Sequence, residues 1–279
     1  MVLIFYLVFS QLAAGGLALL LLIPKGLVGR GFYRLMGAIY LLIVALTRCA
    51  NLAINGHPID FRNFILAIEG HDSVFVLVFF LLLLLYTVSL WMKPSIISRA
   101  LLIAGSACGL VWIVYSAQFY SGLIDLPAKQ FLLPAQFLVS TVLLGTVNSG
   151  MWFGHWYLVT PRLPVIHLKR FNQIFLVSLM LAISFFVLNV FFWTTLSSFS
   201  PGRLNFFHQV VFWLRILLGF GGSALMYVII WGCLRDKSTQ RDVVGATRAA
   251  TGFLYIAMLT VFTGELCGRF LLLEVRFIL

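Results

Sequence analysis

Eight apolar segments, each of about 20 residues or more, occupy most of this 279-residue chain. A helix needs about 20 predominantly apolar residues to cross the hydrocarbon core of a bilayer. The breaks between the segments carry proline, glycine and charged residues, which are typical of turns. We therefore expect an all-α integral membrane protein with a single transmembrane domain, residues 1–279, folded as a bundle of eight transmembrane helices. The predicted helices cover residues 2–24, 32–53, 73–92, 100–120, 132–158, 172–195, 207–234 and 250–273.

The amino-acid composition excludes a water-soluble globule. Apolar residues make up 62% of the chain and charged residues 10%, whereas a soluble domain has about 25% charged residues. The net charge of +11 would suggest nucleic acid for a soluble protein, but here the cations are expected to anchor membrane helices. The predicted partner is membrane lipid, and no nucleic-acid binding is expected. The four cysteines lie in apolar segments without a C-x-x-C pair, so no disulfide or metal site is predicted.

The distribution of lysine and arginine predicts how the helices are oriented. If all eight segments cross the membrane, one side carries twelve Lys and Arg residues, the other side carries four, and three lie within helices. Because cytoplasmic loops are enriched in Lys and Arg, both termini are expected on the periplasmic or outer side. The predicted location is the inner (cytoplasmic) membrane of a prokaryote. The acidic residues on the predicted outer side are Asp60, Glu69, Asp72, Asp125 and Glu274.

The last apolar segment carries an acid and a base at membrane depth. Glu265 and Arg269 are four residues apart and therefore share one face of a helix, where they can pair. An ionisable side chain at this depth costs about 2.5–3.5 kcal/mol on insertion scales, so the pair either holds two helices together or belongs to a functional site. Small residues spaced as in G-x-x-x-G let a neighbouring helix approach closely. The predicted helix-packing glycines are Gly15, Gly16, Gly264 and Gly268.

Other polar residues fall at the same depth, in the outer half of the predicted bundle. Since successive helices alternate in direction, polar residues of helices 1, 2, 7 and 8 and of the loop after helix 2 converge on one layer. We expect there a polar pocket that opens from the bilayer. Such a pocket suits a quinone, whose carbonyls need hydrogen-bond donors and whose redox chemistry moves protons through His or carboxylate groups. The candidate quinone-binding residues are Gln11, Arg48, Asn51, His57, Arg62, His208, Arg215, Glu265 and Arg269.

The five histidines do not form an expected haem site. His155 lies near the inner end of its helix and His208 near the outer end, while His57, His71 and His167 lie in predicted loops. Two histidines at matching depth on facing helices are needed for bis-histidine ligation, so haem b is not expected. His155 stands in an aromatic cluster next to a basic loop, which is typical of a membrane interface; a second polar site there is the alternative.

Two segments of the chain resemble a known family. The stretch Phe9-Ser10-Gln11-Leu12-Ala13-Ala14-Gly15-Gly16 is similar to the Q-x-x-A-G-G stretch in the first helix of membrane anchors of the dimethyl-sulfoxide-reductase type. Gly264-Glu265-Leu266-Cys267-Gly268-Arg269 resembles the G-E-x-x-G-R stretch of their last helix. The loop His57-Pro58-Ile59-Asp60-Phe61-Arg62 is loosely similar to their H-L-G-x-P-x-R segment, although it lacks the Leu-Gly pair. These anchors have about this length, eight helices and both termini in the periplasm.

The resemblance implies a quinone-reactive membrane anchor of a multisubunit respiratory oxidoreductase. Such an anchor docks an iron–sulfur electron-transfer subunit, which serves a molybdopterin catalytic subunit, and it exchanges electrons with menaquinone or ubiquinone. The family generally has no haem in this subunit. Whether the chain is itself an enzyme stays open. The alternatives are a structural membrane subunit of a redox complex without its own quinone site, and a small transporter, for which an inverted repeat and broken helices are expected.

Overall fold

The computed structural model describes residues 1–23, 28–70, 72–92, 96–123, 129–160, 163–196, 204–235, 239 and 242–276, and the regular secondary structure of these ranges is helical. His71 and Asp125, named above, lie outside the described residues. The helices are α1 (Val2–Leu19, extended by a 3-10 turn Leu20–Leu22), α2 (Gly29–Ile54), α3 (Phe61–Leu66), α4 (Ser73–Ser89), α5 (Ile96–Ser121), α6 (Lys129–Val159), α7 (Ile166–Leu196), α8 (Phe206–Leu214), α9 (Ser223–Leu234) and α10 (Val243–Glu274).

Among the described residues, seven helical spans are long and apolar enough to cross a membrane, which confirms the prediction of an all-α, multi-pass membrane protein. One of these spans is composite, because α8 and α9 are joined by a π-helical segment, Arg215–Gly222, into a span of 29 residues. The third predicted span, residues 73–92, corresponds to α4, a shorter apolar helix of 17 residues. Lipid-exposed leucine, valine and phenylalanine side chains cover the outside of the bundle, as expected for a surface that faces hydrocarbon.

The helices form two four-helix bundles that follow each other along the chain. In the first bundle, α1 packs on α2, α2 on α4, α4 on α5, and α5 returns to α1. The second bundle repeats this order: α6 packs on α7, α7 on α9, α9 on α10, and α10 returns to α6. The two bundles meet mainly where α1 packs against α6, with α5 and α10 beside them. No repeat is evident in the sequence, because apolar residues can replace one another without changing this architecture.

Glycines allow the close contact between α1 and α6. A Cβ atom on Gly15 would overlap the backbone carbonyl of Thr141, and one on Gly145 would overlap the backbone of Gly15. The ring of Tyr40 fills the space beside Gly16, where a Cβ atom would overlap it. The two backbones therefore approach each other as they do in small-residue interfaces of membrane helices.

The bundle has two distinguishable ends. At the terminal end α1 begins and α10 ends, and α2 is joined to α4: the hydroxyl of Ser73 donates to Oδ1 of Asn51 at 2.9 Å. At the basic end, which carries the predicted cytoplasmic loops, Nε of Arg34 in α2 donates to the carbonyl of Leu90 just after α4, at 3.0 Å. Helix α4 therefore runs antiparallel to α2 and reaches from one end of the first bundle to the other.

Several helix boundaries differ from those expected from hydropathy. Helix α10 begins at Val243, seven residues before the predicted start, because the carboxylate of Asp242 accepts a hydrogen bond from the Gly245 amide at 2.9 Å and caps the helix. Helix α7 begins at Ile166, six residues early, with a polar first turn. Such capping residues and polar turns extend helices beyond the apolar core of a span. The short helix α3, capped by Asp60, was not predicted.

Candidate functional site

An acid between two arginines lies inside the second bundle. Oε1 of Glu265 is 3.0 Å from Nη2 of Arg215, and Oε2 of Glu265 is 3.4 Å from Nη2 of Arg269. Each of the three side chains is at most 2% exposed. The pairing of Glu265 with Arg269 that the sequence predicts is thus present, and Arg215 completes a triad. With one acid and two bases, the triad carries a formal charge of +1.

Helices of both bundles surround the triad. Oε1 of Gln11 in α1 accepts hydrogen bonds from Nε and Nη2 of Arg269 at 3.3 and 3.2 Å. The guanidinium carbon of Arg269 lies 3.9 Å from the ring centroid of Phe137 in α6, a cation–π contact. Because guanidinium only donates hydrogen bonds, Nε2 of Gln11 must point away from Arg269, and it has no hydrogen-bond partner among the described residues. The triad therefore connects α1 to the second bundle.

The π-helical segment brings Arg215 to Glu265. A Cβ atom on Gly264 would lie 2.6 Å from Cα of Gly219, and one on Gly219 would lie 2.9 Å from Cα of Gly264. The backbones of α10 and the π-helical segment are therefore in contact at Gly264 and Gly219; Gly268 is also buried. π-Helical turns are rare and are often found at functional sites.

The triad lies deep within its helices. Arg215 and Gln11 each lie nine residues after the first residue of their span (206 to 215 and 2 to 11), and Glu265 lies nine residues before the last residue of α10. At 1.5 Å per residue, each is about 14 Å from the terminal end of its helix. Buried charges of this kind are stable only when they are paired and hydrogen-bonded, which the triad satisfies for Glu265.

A second polar cluster lies at the terminal end of the first bundle. The hydroxyl of Tyr6 in α1 is 3.3 Å from Oδ2 of Asp72, the residue before α4. Asp72 has a positive φ of 65° and is only 4% exposed. Burial raises the pKa of Asp72 to about 6, although the side chains of Ser116, Tyr6 and Trp112 favour its charged form. Asp72 can therefore exchange a proton near neutral pH.

Helix α1 separates the two clusters. Tyr6 and Gln11 are five residues apart in α1, which places them about 140° apart around the helix axis. Tyr6 faces the first bundle, where its ring packs edge-on against Trp112 at 6.1 Å between centroids. Gln11 faces Arg269 of the second bundle. The predicted single layer is therefore divided into two sites on opposite sides of one helix.

Arg48 and Asn51 belong to the first-bundle cluster. Nε of Arg48 donates to the carbonyl of Phe64 at 3.1 Å, and its Nη2 donates to the carbonyls of Asn63 and Ala67. Nη1 of Arg48 donates to Oδ1 of Asn51 at 2.8 Å. Arg48 is fully buried and binds the carbonyl groups at the end of α3. A cation at the C-terminus of a helix is favourable, so Arg48 holds α3 over this end of the bundle.

An apolar groove lies between α3 and α4 on the surface of the first bundle. Its volume is about 590 Å³. The side chain of Phe64 lines the groove and packs on Phe80, with 5.0 Å between the ring centroids, while the carbonyl of Phe64 binds Arg48. Phe64 thus separates the groove from the buried cluster. The lining residues are Ile59, Asp60, Phe61, Phe64, Ile65, Leu77, Phe80, Leu81 and Leu84.

The remaining predicted site residues lie near the surface. His57 is half-buried and Arg62 is exposed, both in the segment between α2 and α4. His208 is half-buried in α8, where its ring lies 5.7 Å from the ring of Phe270 in α10. His155 is exposed at the basic end, with Nδ1 at 3.3 Å from the hydroxyl of Tyr255. None of these histidines contacts the triad through a hydrogen bond in the described residues.

Sequence reasoning missed Asp72, Tyr6 and Trp112 as members of a site. Asp72 stands directly before an apolar segment, which is the usual position of an exposed helix cap, and so it was predicted only as an outer-side acid. Its side chain makes no capping hydrogen bond and instead turns inward to Tyr6. The positive φ of Asp72, which directs the chain in this way, has no signal in the sequence.

No group of three or more His, Cys, Asp or Glu side chains suited to a metal ion occurs among the residues that the structure describes. The sequence matches no protein-family model and no curated protein, and no solved structure matches the fold.

Proposed function

We propose that this protein is a quinone-reactive membrane anchor of a multisubunit respiratory oxidoreductase, with eight spans and both termini on the outer side of a prokaryotic inner membrane. Three observations support the proposal: the two four-helix bundles, the acid–base clusters inside them, and the resemblance of the first and last helices to anchors of the dimethyl-sulfoxide-reductase type. The proposed partners are an iron–sulfur subunit and, through it, a molybdopterin subunit.

The course of α4 supports eight spans rather than seven. Its ends meet both ends of α2, through Asn51 with Ser73 and through Arg34 with Leu90. Seventeen helical residues rise about 25 Å, somewhat less than the 30 Å of an average hydrocarbon core. The buried residue Leu90 extends this span at the basic end. With α4 counted, the more basic end of the bundle is cytoplasmic by the positive-inside rule.

The observation that carries the quinone proposal is the juxtaposition of the apolar groove with the Asp72 cluster. The groove opens toward lipid between α3 and α4 and suits an isoprenoid tail. Behind Phe64 lie groups that can bind quinone oxygens, namely the guanidinium of Arg48, the amide of Asn51 and the hydroxyl of Tyr6. None of the six residues of α3 is buried, so its displacement to admit a head group costs little apolar contact.

Asp72 supplies the proton exchange that quinone chemistry needs. Oxidation of a quinol releases two electrons and two protons, and reduction of a quinone consumes the same. A carboxyl group whose pKa is about 6 is suited to accept or return a proton near neutral pH. Tyr6, whose hydroxyl lies 3.3 Å from Oδ2 of Asp72, orients this carboxyl, and the two electrons pass to or from the iron–sulfur partner. In the triad both arginines contact the one carboxylate of Glu265, and we assign to it the positioning of α1 against the second bundle.

Quenching of tryptophan fluorescence tests the location of the site. Trp112 lies beside Tyr6 and Asp72, so decylubiquinone or a short-chain menaquinone bound there should quench its emission. In the purified chain we expect quenching that Trp112→Phe removes in large part. Trp231→Phe, at the basic end, serves as the matched control. Once the emission of Trp231 itself is subtracted, this variant should show the same quenching as the unmodified protein.

Activity of the assembled complex tests the role of Asp72. Asp72→Asn should abolish quinone-linked turnover, while electron transfer between the partner subunits, assayed with an artificial dye, should be unchanged. Glu69→Gln alters an exposed carboxyl in the same segment and should retain both activities. Full quinone-linked activity in Asp72→Asn, together with quenching that does not depend on Trp112, would contradict the proposed site. Absence of any quinone binding would favour the structural-subunit alternative.

A further inference from the structure

A polar cleft opens at the basic end of the second bundle, between the beginning of α7 and the end of α9. Its volume is about 220 Å³. Lys169 is half-buried and Arg235 is exposed, so the cleft lies at the surface of the bundle rather than in its core. The lining residues are Lys169, Asn172, Gln173, Trp231, Leu234 and Arg235; no carboxylate lines it among the described residues.

Trp231 and Arg235 place this cleft at the membrane–water boundary. The guanidinium carbon of Arg235 lies 4.8 Å from the ring centroid of Trp231. Tryptophan is enriched at the level of lipid head groups, and a stacked arginine is held in a fixed orientation. The two cations, Lys169 and Arg235, thus stand at the depth of phospholipid phosphates.

An unused hydrogen-bonding group lies inside the cleft. Asn172 is 3% exposed, and its Oδ1 has no hydrogen-bond partner among the described residues. Buried polar atoms nearly always have a partner in the protein or in ordered water. A ligand that carries both a negative charge, for the cations, and a hydroxyl group, for Oδ1 of Asn172, would satisfy the whole cleft.

We propose that this cleft binds the head group of an anionic, hydroxyl-bearing phospholipid such as phosphatidylglycerol. The phosphate binds Lys169 and Arg235, and a glycerol hydroxyl donates to Asn172. The acyl chains continue along the lipid-facing sides of α7 and α9, where Val177 and Val228 are each more than half exposed. Basic pockets between helices on the cytoplasmic side of a membrane are suited to such head groups. This site lies at the opposite end of the bundle from the proposed quinone site and does not depend on it.

Native mass spectrometry of the purified chain in detergent tests the proposal. The titrated probes are phosphatidylglycerol, phosphatidylcholine and inorganic phosphate. We expect phosphatidylglycerol to bind with selectivity over phosphatidylcholine, and inorganic phosphate not to displace it. Each Lys or Arg near an anionic surface contributes about a fivefold gain in binding. The double variant Lys169→Gln/Arg235→Gln should therefore bind phosphatidylglycerol about 25-fold more weakly.

Matched variants separate this cleft from general basicity. Arg99→Gln/Arg248→Gln removes two exposed cations of the same end outside the cleft and should retain the affinity. Arg235→Gln alone changes only an exposed residue, so it remains informative if the double variant does not fold, and it should weaken binding about fivefold. Equal affinity of the cleft and control variants would overturn the proposal. So would displacement of the lipid by millimolar inorganic phosphate.

Discussion

Gly219 and Gly264 are in backbone contact: a Cβ atom on Gly264 would lie 2.6 Å from Cα of Gly219. Real Cβ atoms do not approach a backbone atom this closely, so neither position accepts a side chain without displacement of α10 or of the π-helical segment. Because Arg215 belongs to that segment and Glu265 follows Gly264, this contact sets the separation of the two charges. The function of the glycines is thus to fix a distance between charged groups as well as to pack helices.

Gly264→Ala should destabilise the protein. Overpacking in a tight interior typically costs about 1–3 kcal/mol, and here the obstacle is backbone that cannot rotate away. We expect a lower midpoint of thermal unfolding in detergent. Gly252→Ala in the same helix is the control, since nothing lies within 4 Å of the added methyl group and alanine favours a helix by up to about 1 kcal/mol. A Gly264→Ala variant as stable as Gly252→Ala would contradict the close contact.

The charged triad predicts that replacing all three of its residues with leucine destabilises the protein less than replacing two of them. Glu265→Leu/Arg269→Leu removes a pair but leaves Arg215 buried without its acid, and breaking a buried ion pair costs about 3–5 kcal/mol. The triple variant with Arg215→Leu leaves no charge behind. We therefore expect the triple variant to be recovered as monodisperse protein in higher yield than the double variant. The reverse order, measured by size-exclusion chromatography, would show that Arg215 is not dependent on Glu265.

Asp72 makes the stability depend on pH. Its pKa is raised by burial from an ordinary value near 3.8 to about 6, so the folded protein binds more protons than the unfolded chain between these values. The contribution of Asp72 to the free energy of unfolding should therefore be largest below pH 4 and should fall as the pH rises through 6. The total loss is at most about 3 kcal/mol for two pKa units.

Thermal unfolding from pH 4 to pH 8 measures this dependence against Asp72→Asn, which should lack the decline. Glu69→Gln should keep it. An identical pH profile for the protein and Asp72→Asn would mean that another group is responsible or that Asp72 is not buried in the folded state.

Arg48 should control the local stability of α3. It donates to three backbone carbonyls at the end of this six-residue helix, and hydrogen bonds from a charged group contribute about 1.5–3 kcal/mol each. In Arg48→Gln we expect amide hydrogen exchange across residues 60–67 to be at least about tenfold faster. Arg62→Gln alters an exposed arginine in α3 itself and should leave the exchange unchanged; equal protection in both variants would show that α3 is held by other contacts.

Reporter fusions test the proposed topology. With eight spans and both termini outside, a periplasmic enzyme fused at Leu279 or at Gly70 should be active, while a cytoplasmic fluorophore should be bright only at Met92. If α4 does not cross, Gly70 and Met92 should report the same side. That result would leave seven spans and separate the two termini.

The sequence predicts the spans well and the site only in part, for physical reasons. Long apolar runs identify membrane helices because every residue of a span lies in hydrocarbon, where the backbone must form its hydrogen bonds within the helix. The Glu265–Arg269 pair is predicted from its spacing, whereas Tyr6, on the other side of α1 from Gln11, was not recognised as a site residue. The depth of a residue in the membrane, however, does not show which side of α1 it faces, and so the two clusters were predicted as one site.

Other features depend on tertiary contacts that no local pattern encodes. The π-helical segment that begins at Arg215 occurs where Gly219 meets Gly264, which lies 45 residues later in the chain. The inward direction of Asp72 requires a left-handed backbone conformation that aspartate adopts uncommonly. Helix α3 has only six residues, so its sequence cannot be distinguished from that of a loop. The hydrogen bonds from Arg48 to its carbonyl groups are tertiary contacts.

Each half of the chain closes its own ring of four helices, and the two rings are joined face to face by Gly15 with Gly145 and by Gln11 with Arg269. The peptide connection between residues 123 and 129 is therefore one attachment among several. Two separate polypeptides, 1–126 and 127–279, made in the same membrane, should find each other and assemble. A protein of this architecture can therefore be encoded by one gene or by two, with the same helix contacts and the same site residues.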